Sequence, residues 1–95
     1  MTAFLIAQIR IHDREEYGQY EAGFMAVFAD YGGSLRAVDE APDVIEGDWP
    51  FTRTVLIEFP SKEAARAWYD SDAYQALARH RFRAAEGNAV LINGL

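Results

Sequence analysis

Residues 58–75 read EFPSKEAARAWYDSDAYQ, and the fold turns on whether this stretch is a chemical signature or a strand handing over to helices. Pro60 cannot donate to a strand ladder and stops the strand before it. Ser61 is a strong N-cap residue, and Glu63 sits near the positive end of the helix it would start. Ala64, Ala65, Trp68 and Tyr69 can face inward from that helix. Ser71, with Asp72 beside it, caps a second helix carrying Tyr74, Leu77, Ala78 and Phe82. At most positions the stretch is therefore punctuation and packing: a strand, then a helix broken in two.

Upstream, Thr52–Phe59 alternates Val55, Ile57 and Phe59 with Thr54, Leu56 and Glu58, the period of a strand. Phe4–Ile11 suits a first strand, with Leu5, Ala7, Ile9 and Ile11 on one face and Phe4, Ile6, Gln8 and Arg10 on the other. Both faces carry large apolar groups, so both need cover. Asp13 is an N-cap, with Glu16 placed to answer it as in a capping box. Tyr17, Tyr20, Phe24, Val27, Phe28 and Tyr31 then recur at spacings of three and four, an apolar stripe on a helix of about five turns. Gly18 and Gly23 interrupt it, and Gly32-Gly33 is a natural stop.

Ser34–Asp39 reads as a second strand, Ala41-Pro42-Asp43 as a turn, and Val44–Trp49 as a hairpin arm or bulged continuation. Downstream, Gly87 and Asn88 are expected to end the last helix, and Ala89–Asn93 to form a final strand. The order β-α-β-β-α-β over residues 1–95 is a single α+β domain of ferredoxin-like type, an antiparallel sheet with helices on one face. The other face exposes Phe4, Ile6 and Leu56, and a second copy of the sheet is the simplest cover. A homodimer through that face is expected. With the first and third strands taken as parallel neighbours, Arg10 and Glu58 fall near their C-terminal ends, and an ion pair between them, within one protomer or across the dimer, is expected.

The formal net charge of −6 argues against nucleic acid or an anionic membrane as the main partner, because a phosphate backbone needs a positive field. The sequence has no cysteine, which excludes disulfides, thiolate nucleophiles and cysteine-ligated metal centres. The opening MTAFLIAQIRIHD has no basic region before its short apolar run, so no signal peptide is expected, and a cytoplasmic setting is the default.

Tyr17-Gly-Gln-Tyr20, Gly32-Gly33, Glu46-Gly47-Asp48-Trp49, Arg53 running into EFPS, WYDSDAYQ and Arg81 together resemble the domain of unknown function 1330 family over nearly the whole chain. That family is similar to the dimeric α/β-barrel superfamily, in which two ferredoxin-like protomers close their sheets into one barrel. The resemblance implies that fold and leaves the activity open. The superfamily includes cofactor-free monooxygenases, lactone isomerases and haem-degrading enzymes. The last of these place an axial histidine about ten residues after a tryptophan matching Trp68, and an asparagine on the first strand. Here those positions are approximately Ala78 and Gln8. His80 lies two residues further on, a rotation of about 200° round a helix, so no haem is expected.

His12 and His80 are the only histidines; neither has a recognised ligand spacing, and no metal site is expected. The serines sit in no nucleophile elbow. Gly32-Gly33-Ser34 follows a helix rather than opening one, the reverse of a phosphate loop. Tyrosines 17, 20 and 31, with Trp68 and Tyr74, can pack a core or wall a pocket for a planar ligand.

Two readings stand. One is a small-molecule enzyme without a cofactor, its pocket between helices and sheet. There Arg53 or Arg81 holds an anionic or enolic oxygen, and His12, Tyr17 or Tyr74 moves a proton. Trp68 and Glu58 complete the expected ligand contacts. The other is a ligand-binding or dimerising module without chemistry.

Overall fold

The computed structural model describes all residues from Met1 to Leu95. In chain order the elements are β1 (Ala3–Ile11), α1 (Arg14–Ala29), β2 (Ser34–Asp39), β3 (Arg53–Phe59), α2 (Lys62–Asp70), α3 (Asp72–Ala84) and β4 (Ala85–Asn93). The sheet order is β2-β3-β1-β4 and every neighbouring pair is antiparallel. The helices cover one face, so this is the expected ferredoxin-like α+β arrangement.

The caps form where the sequence places them. Asp13 accepts the Glu16 N–H, Ser61 the Ala64 N–H and Ser71 the Tyr74 N–H, each at 3.1 Å. The capping box at α1 is only half made, because the Glu16 carboxylate turns to His80 and Arg83 on α3. α1 stops at Ala29, short of Tyr31, and Gly32 adopts φ +75°, a left-handed turn that favours glycine.

Antiparallel pairing puts Leu5, Ala7, Ile9 and Ile11 of β1 on the same face as Val55, Ile57 and Phe59 of β3. Ala7, Ile9, Val55, Ile57 and Phe59 are buried there together with Tyr17, Tyr20, Phe28, Trp68 and Tyr74 from the helices. No helix is long and apolar enough to cross a membrane.

Three expectations are corrected. β1 and β3 run antiparallel with Phe4 opposite Glu58 and Ile9 opposite Arg53. Arg10 and Glu58 therefore lie at opposite ends of the sheet, about 20 Å apart at the rise of a strand. Arg10 instead bonds Glu86 on β4 at 2.9 Å, and Glu58 bonds Arg36 on β2 at 3.0 Å. Val44–Trp49 forms no strand: pairing of β2 with β3 ends at Asp39 and Thr54, and the Trp49 indole N–H ties the segment back to the Thr54 hydroxyl at 2.9 Å. Gly87 and Asn88 do not end α3 but lie within β4. A Cβ on Gly87 would stand 3.0 Å from the Gln8 carbonyl oxygen, so this glycine serves a close approach of two strands rather than a helix stop.

The two glycines inside α1 differ in kind. A Cβ on Gly23 would come within 2.8 Å of Leu77 Cδ1 on α3, whereas one on Gly18 would meet nothing within 4 Å. Gly18→Ala is expected to raise stability by about 0.5–1 kcal/mol through helix propensity, and Gly23→Ala to give no such gain. Denaturant unfolding of the two variants checks this; equal gains would mean that α1 and α3 do not need the bare backbone.

Candidate functional site

Trp68 projects from α2 to where three other elements meet. Its ring centroid lies 5.3 Å from Phe59 on β3, 4.2 Å from Tyr74 on α3 and 6.1 Å from Phe24 on α1. Bounded on one side by this aromatic layer, a cavity of about 640 Å³ lies between helices and sheet. Its floor is aliphatic, from Leu5, Ala7, Ile9, Val55, Ile57, Ala89 and Leu91, and its other walls include Tyr17, Tyr20, Phe24, Trp68, Tyr69, Tyr74, Arg53 and Arg81.

The polar groups are few and specific. Tyr20 Oη and Tyr74 Oη share a buried hydrogen bond of 2.8 Å. The Arg81 guanidinium lies 5.8 Å from the Tyr20 ring centroid and 4.8 Å from that of Phe82, and no carboxylate pairs with it. Arg53 lies 5.5 Å from the Tyr17 ring centroid. Its Nη1 bonds Glu40 and its Nη2 bonds Glu21 at 3.2 Å. Two buried donors, Arg53 Nε and Trp68 Nε1, have no partner. A buried indole N–H normally finds one.

Burial pushes the Tyr20 hydroxyl far above the ordinary tyrosine value, and Tyr74 adds to the effect. Burial likewise raises Tyr17, while Arg53 and, more weakly, Arg81 favour its ionised form. These hydroxyls therefore stay protonated across the physiological range. Burial works against the Arg81 charge, but Tyr74 and Tyr20 beside it outweigh that and raise its pKa, so it remains a cation. The site is rich in donors and offers one uncompensated positive charge.

Of the residues expected from sequence, Tyr17, Tyr74, Trp68, Arg53 and Arg81 come together around this cavity. His12 does not: it is exposed where β1 passes into α1, its backbone N–H bonded to the Ala84 carbonyl. Glu58 does not either, since it faces the other side of the sheet. His80 turns to Glu16. No group of three or more His, Asp or Glu side chains gathers to hold a metal. The Tyr20–Tyr74 bond and the capture of Arg53 by Glu21 and Glu40 were not anticipated. Tyr20 and Glu21 lie on one turn with Tyr17, which was a usable signal; Glu40 follows β2, the neighbour of the strand that carries Arg53, and carried none.

Comparison with known proteins is consistent with this geometry. The sequence profile of the "Domain of unknown function (DUF1330)" family matches residues 2–95. The chain belongs to the DUF1330 family. No curated protein matches its sequence. Among solved structures, this DUF1330 chain is similar to RPA0582, a protein of unknown function from Rhodopseudomonas palustris, with TM-score 0.81 and 18% identity over 99% of this chain and 82% of that one. It is similar to SnoaB, a cofactor-independent oxygenase from Streptomyces nogalater, with TM-score 0.70 and 14% identity over 99% and 93%. It is also similar to a dimeric ferredoxin-like protein of unknown function from Jannaschia sp. CCS1, with TM-score 0.71 and 11% identity over 99% and 100%. At such identities the likeness is one of fold.

The buried hydroxyls make the DUF1330 domain sensitive to alkali. Because the folded pKa of Tyr20 is raised, the folded chain keeps this proton when the unfolded chain has lost it. Its contribution is fully present below the unfolded tyrosine value of about 10, and stability then falls by about 1.4 kcal/mol per pH unit above it. Denaturant unfolding at a series of alkaline pH values is expected to show this fall, and Tyr20→Phe to make it shallower by that slope. Identical slopes in the two proteins would mean that the Tyr20 hydroxyl ionises normally.

Proposed function

We propose that the cavity binds an apolar organic anion, a carboxylate or an enolate, with its charged oxygen at Arg81 and the Tyr20–Tyr74 hydroxyl pair. The observation that carries this is the cation itself: a half-buried guanidinium beside an apolar cavity with no carboxylate to balance it. A buried charge calls for a partner, and a bound anion supplies one through charge-assisted hydrogen bonds. On an enolisable ligand the same donors stabilise negative charge as it develops on oxygen. Tyr17 lines the cavity beside Arg53 and is a phenol from which a proton can be given and recovered.

This supports a small-molecule enzyme that works through the substrate's own enolate. SnoaB is a cofactor-independent oxygenase on the same fold, and an oxygenase without a cofactor draws its electrons from an electron-rich substrate. One observation favours binding without turnover instead: no free base faces the cavity, because Glu21 is held by Arg53 and His12 lies outside. Deuterium exchange at an acidic C–H of a bound ligand separates the two readings. A cysteine-free acidic chain also fits a cytoplasmic setting.

Calorimetric titration with 2-naphthoate tests the site. Arg81→Met is expected to weaken binding by about 2–5 kcal/mol, as for the loss of one partner of a buried charge pair, with the fold retained by circular dichroism. Unchanged affinity would remove Arg81 from the site.

The outer sheet face is the proposed dimer contact. Phe4, Ile6, Leu56, Val90 and Ile92 share it, and Val90 and Ile92 are 56% and 44% exposed, an apolar strip unusual on a monomer. A dimer through this face would bury about 2,000 Å² or more if obligate. Light scattering is expected to give twice the chain mass, and Leu56→Glu with Ile92→Glu to give the chain mass. A wild-type monomer at micromolar concentration would overturn the assignment.

A further inference from the structure

Three arginines line the cavity, Arg53, Arg66 and Arg81. Arg66 is exposed and paired with Asp70 one turn on, and of the other two only Arg81 is free of a carboxylate. Arg53 spends Nη1 on Glu40 and Nη2 on Glu21, and its Nε is shielded without a partner. Arg14 lies 3.8 Å from the second Glu40 oxygen, which further ties Glu40 in place. The Arg53 side chain is 14% exposed, against about half for each glutamate. The charge is thus inside and its two counter-charges approach it from the rim. Arg81 has no such partners.

We infer that the ligand is a monoanion, and that Glu21 and Glu40 are the residues that set this charge number by keeping Arg53 occupied. The inference rests on the reading of Arg81 as the anion site and adds to it a rule for selection. A ligand with a single carboxylate or enolate oxygen balances Arg81 and leaves the Arg53 cluster undisturbed. A second carboxylate directed toward Tyr17 meets two glutamates rather than a guanidinium with donors to spare. It must displace one of them or accept like-charge repulsion, and both lower affinity. The two glutamates therefore act against dianions without touching the ligand that is accepted.

The test compares 2-naphthoate with naphthalene-2,6-dicarboxylate, two planar probes that differ by one charge, by calorimetric titration at constant ionic strength. Wild-type protein is expected to prefer 2-naphthoate by about ten-fold or more. In Glu21→Gln/Glu40→Gln, which frees Arg53, the dicarboxylate is expected to gain about ten-fold or more and the preference to vanish or reverse. Glu40→Gln alone, with Glu21 retained, is expected to shift the preference in the same direction and serves if the double variant does not fold. Equal affinities for the two probes in wild-type protein would overturn the inference while leaving the Arg81 site intact, as would a preference that the glutamate substitutions do not change. Failure of 2-naphthoate to bind wild-type protein would overturn the Arg81 site and this inference with it.

Discussion

The position of Trp68 is the constraint on which the rest of the structure depends. One side chain from a nine-residue helix touches an aromatic ring on β3, one on α1 and one on α3. Rings are rigid and bulky, so a cluster of this kind sets the spacing between layers rather than merely filling it. The break between α2 and α3 at Ser71 follows from the same need. It lets α3 change direction after Trp68 and lie along α1, where the bare backbone of Gly23 admits Leu77. The space enclosed beneath these helices, above small and aliphatic floor residues, is the cavity.

Charge is distributed around that cavity unequally, and the inequality is what gives it chemical character. The three arginines on the strands are balanced by glutamates at the surface or rim: Arg10 by Glu86, Arg36 by Glu58, and Arg53 by Glu21 and Glu40; Arg81 stands apart, on α3 and without a carboxylate partner. Exposed pairs such as Arg10–Glu86 add little stability. Their position says more than their energy, since they sit at opposite corners of the outer sheet face with the apolar strip between them. Tyr17 and Tyr20 complete the picture: burial keeps their hydroxyls protonated, as donors for negative charge on a ligand.

Most of the fold was legible in the sequence because its signals are local. Asp13, Ser61 and Ser71 cap the helices they were expected to cap, since an N-cap bond spans only three residues. The alternation through Val55, Ile57 and Phe59 identified the inward face of β3 for the same reason. The failures share a cause as well. Val44–Trp49 has strand-like composition but no neighbour to pair with, and Gly87 looks like a helix stop until Gln8 is seen across from it. Both depend on what lies on the adjacent strand.

The candidate site divides along the same line. By itself the sequence determined that Tyr17, Tyr20, Phe24 and Phe28 share a helix face, that Trp68 and Tyr74 point inward, and that no cysteine chemistry operates here; each follows from helical or strand period or from composition alone. Only the tertiary structure decided which charges meet. Arg10 and Glu58 share a sheet face, but antiparallel register sends them to opposite ends and gives each a different partner. Arg53 and Arg81 look equivalent as basic residues near aromatic ones. Glu21 and Glu40, distant from Arg53 in sequence and adjacent to it in space, neutralise one and leave the other free. Coulombic partners are chosen by distances across elements, and no one-dimensional period encodes those distances.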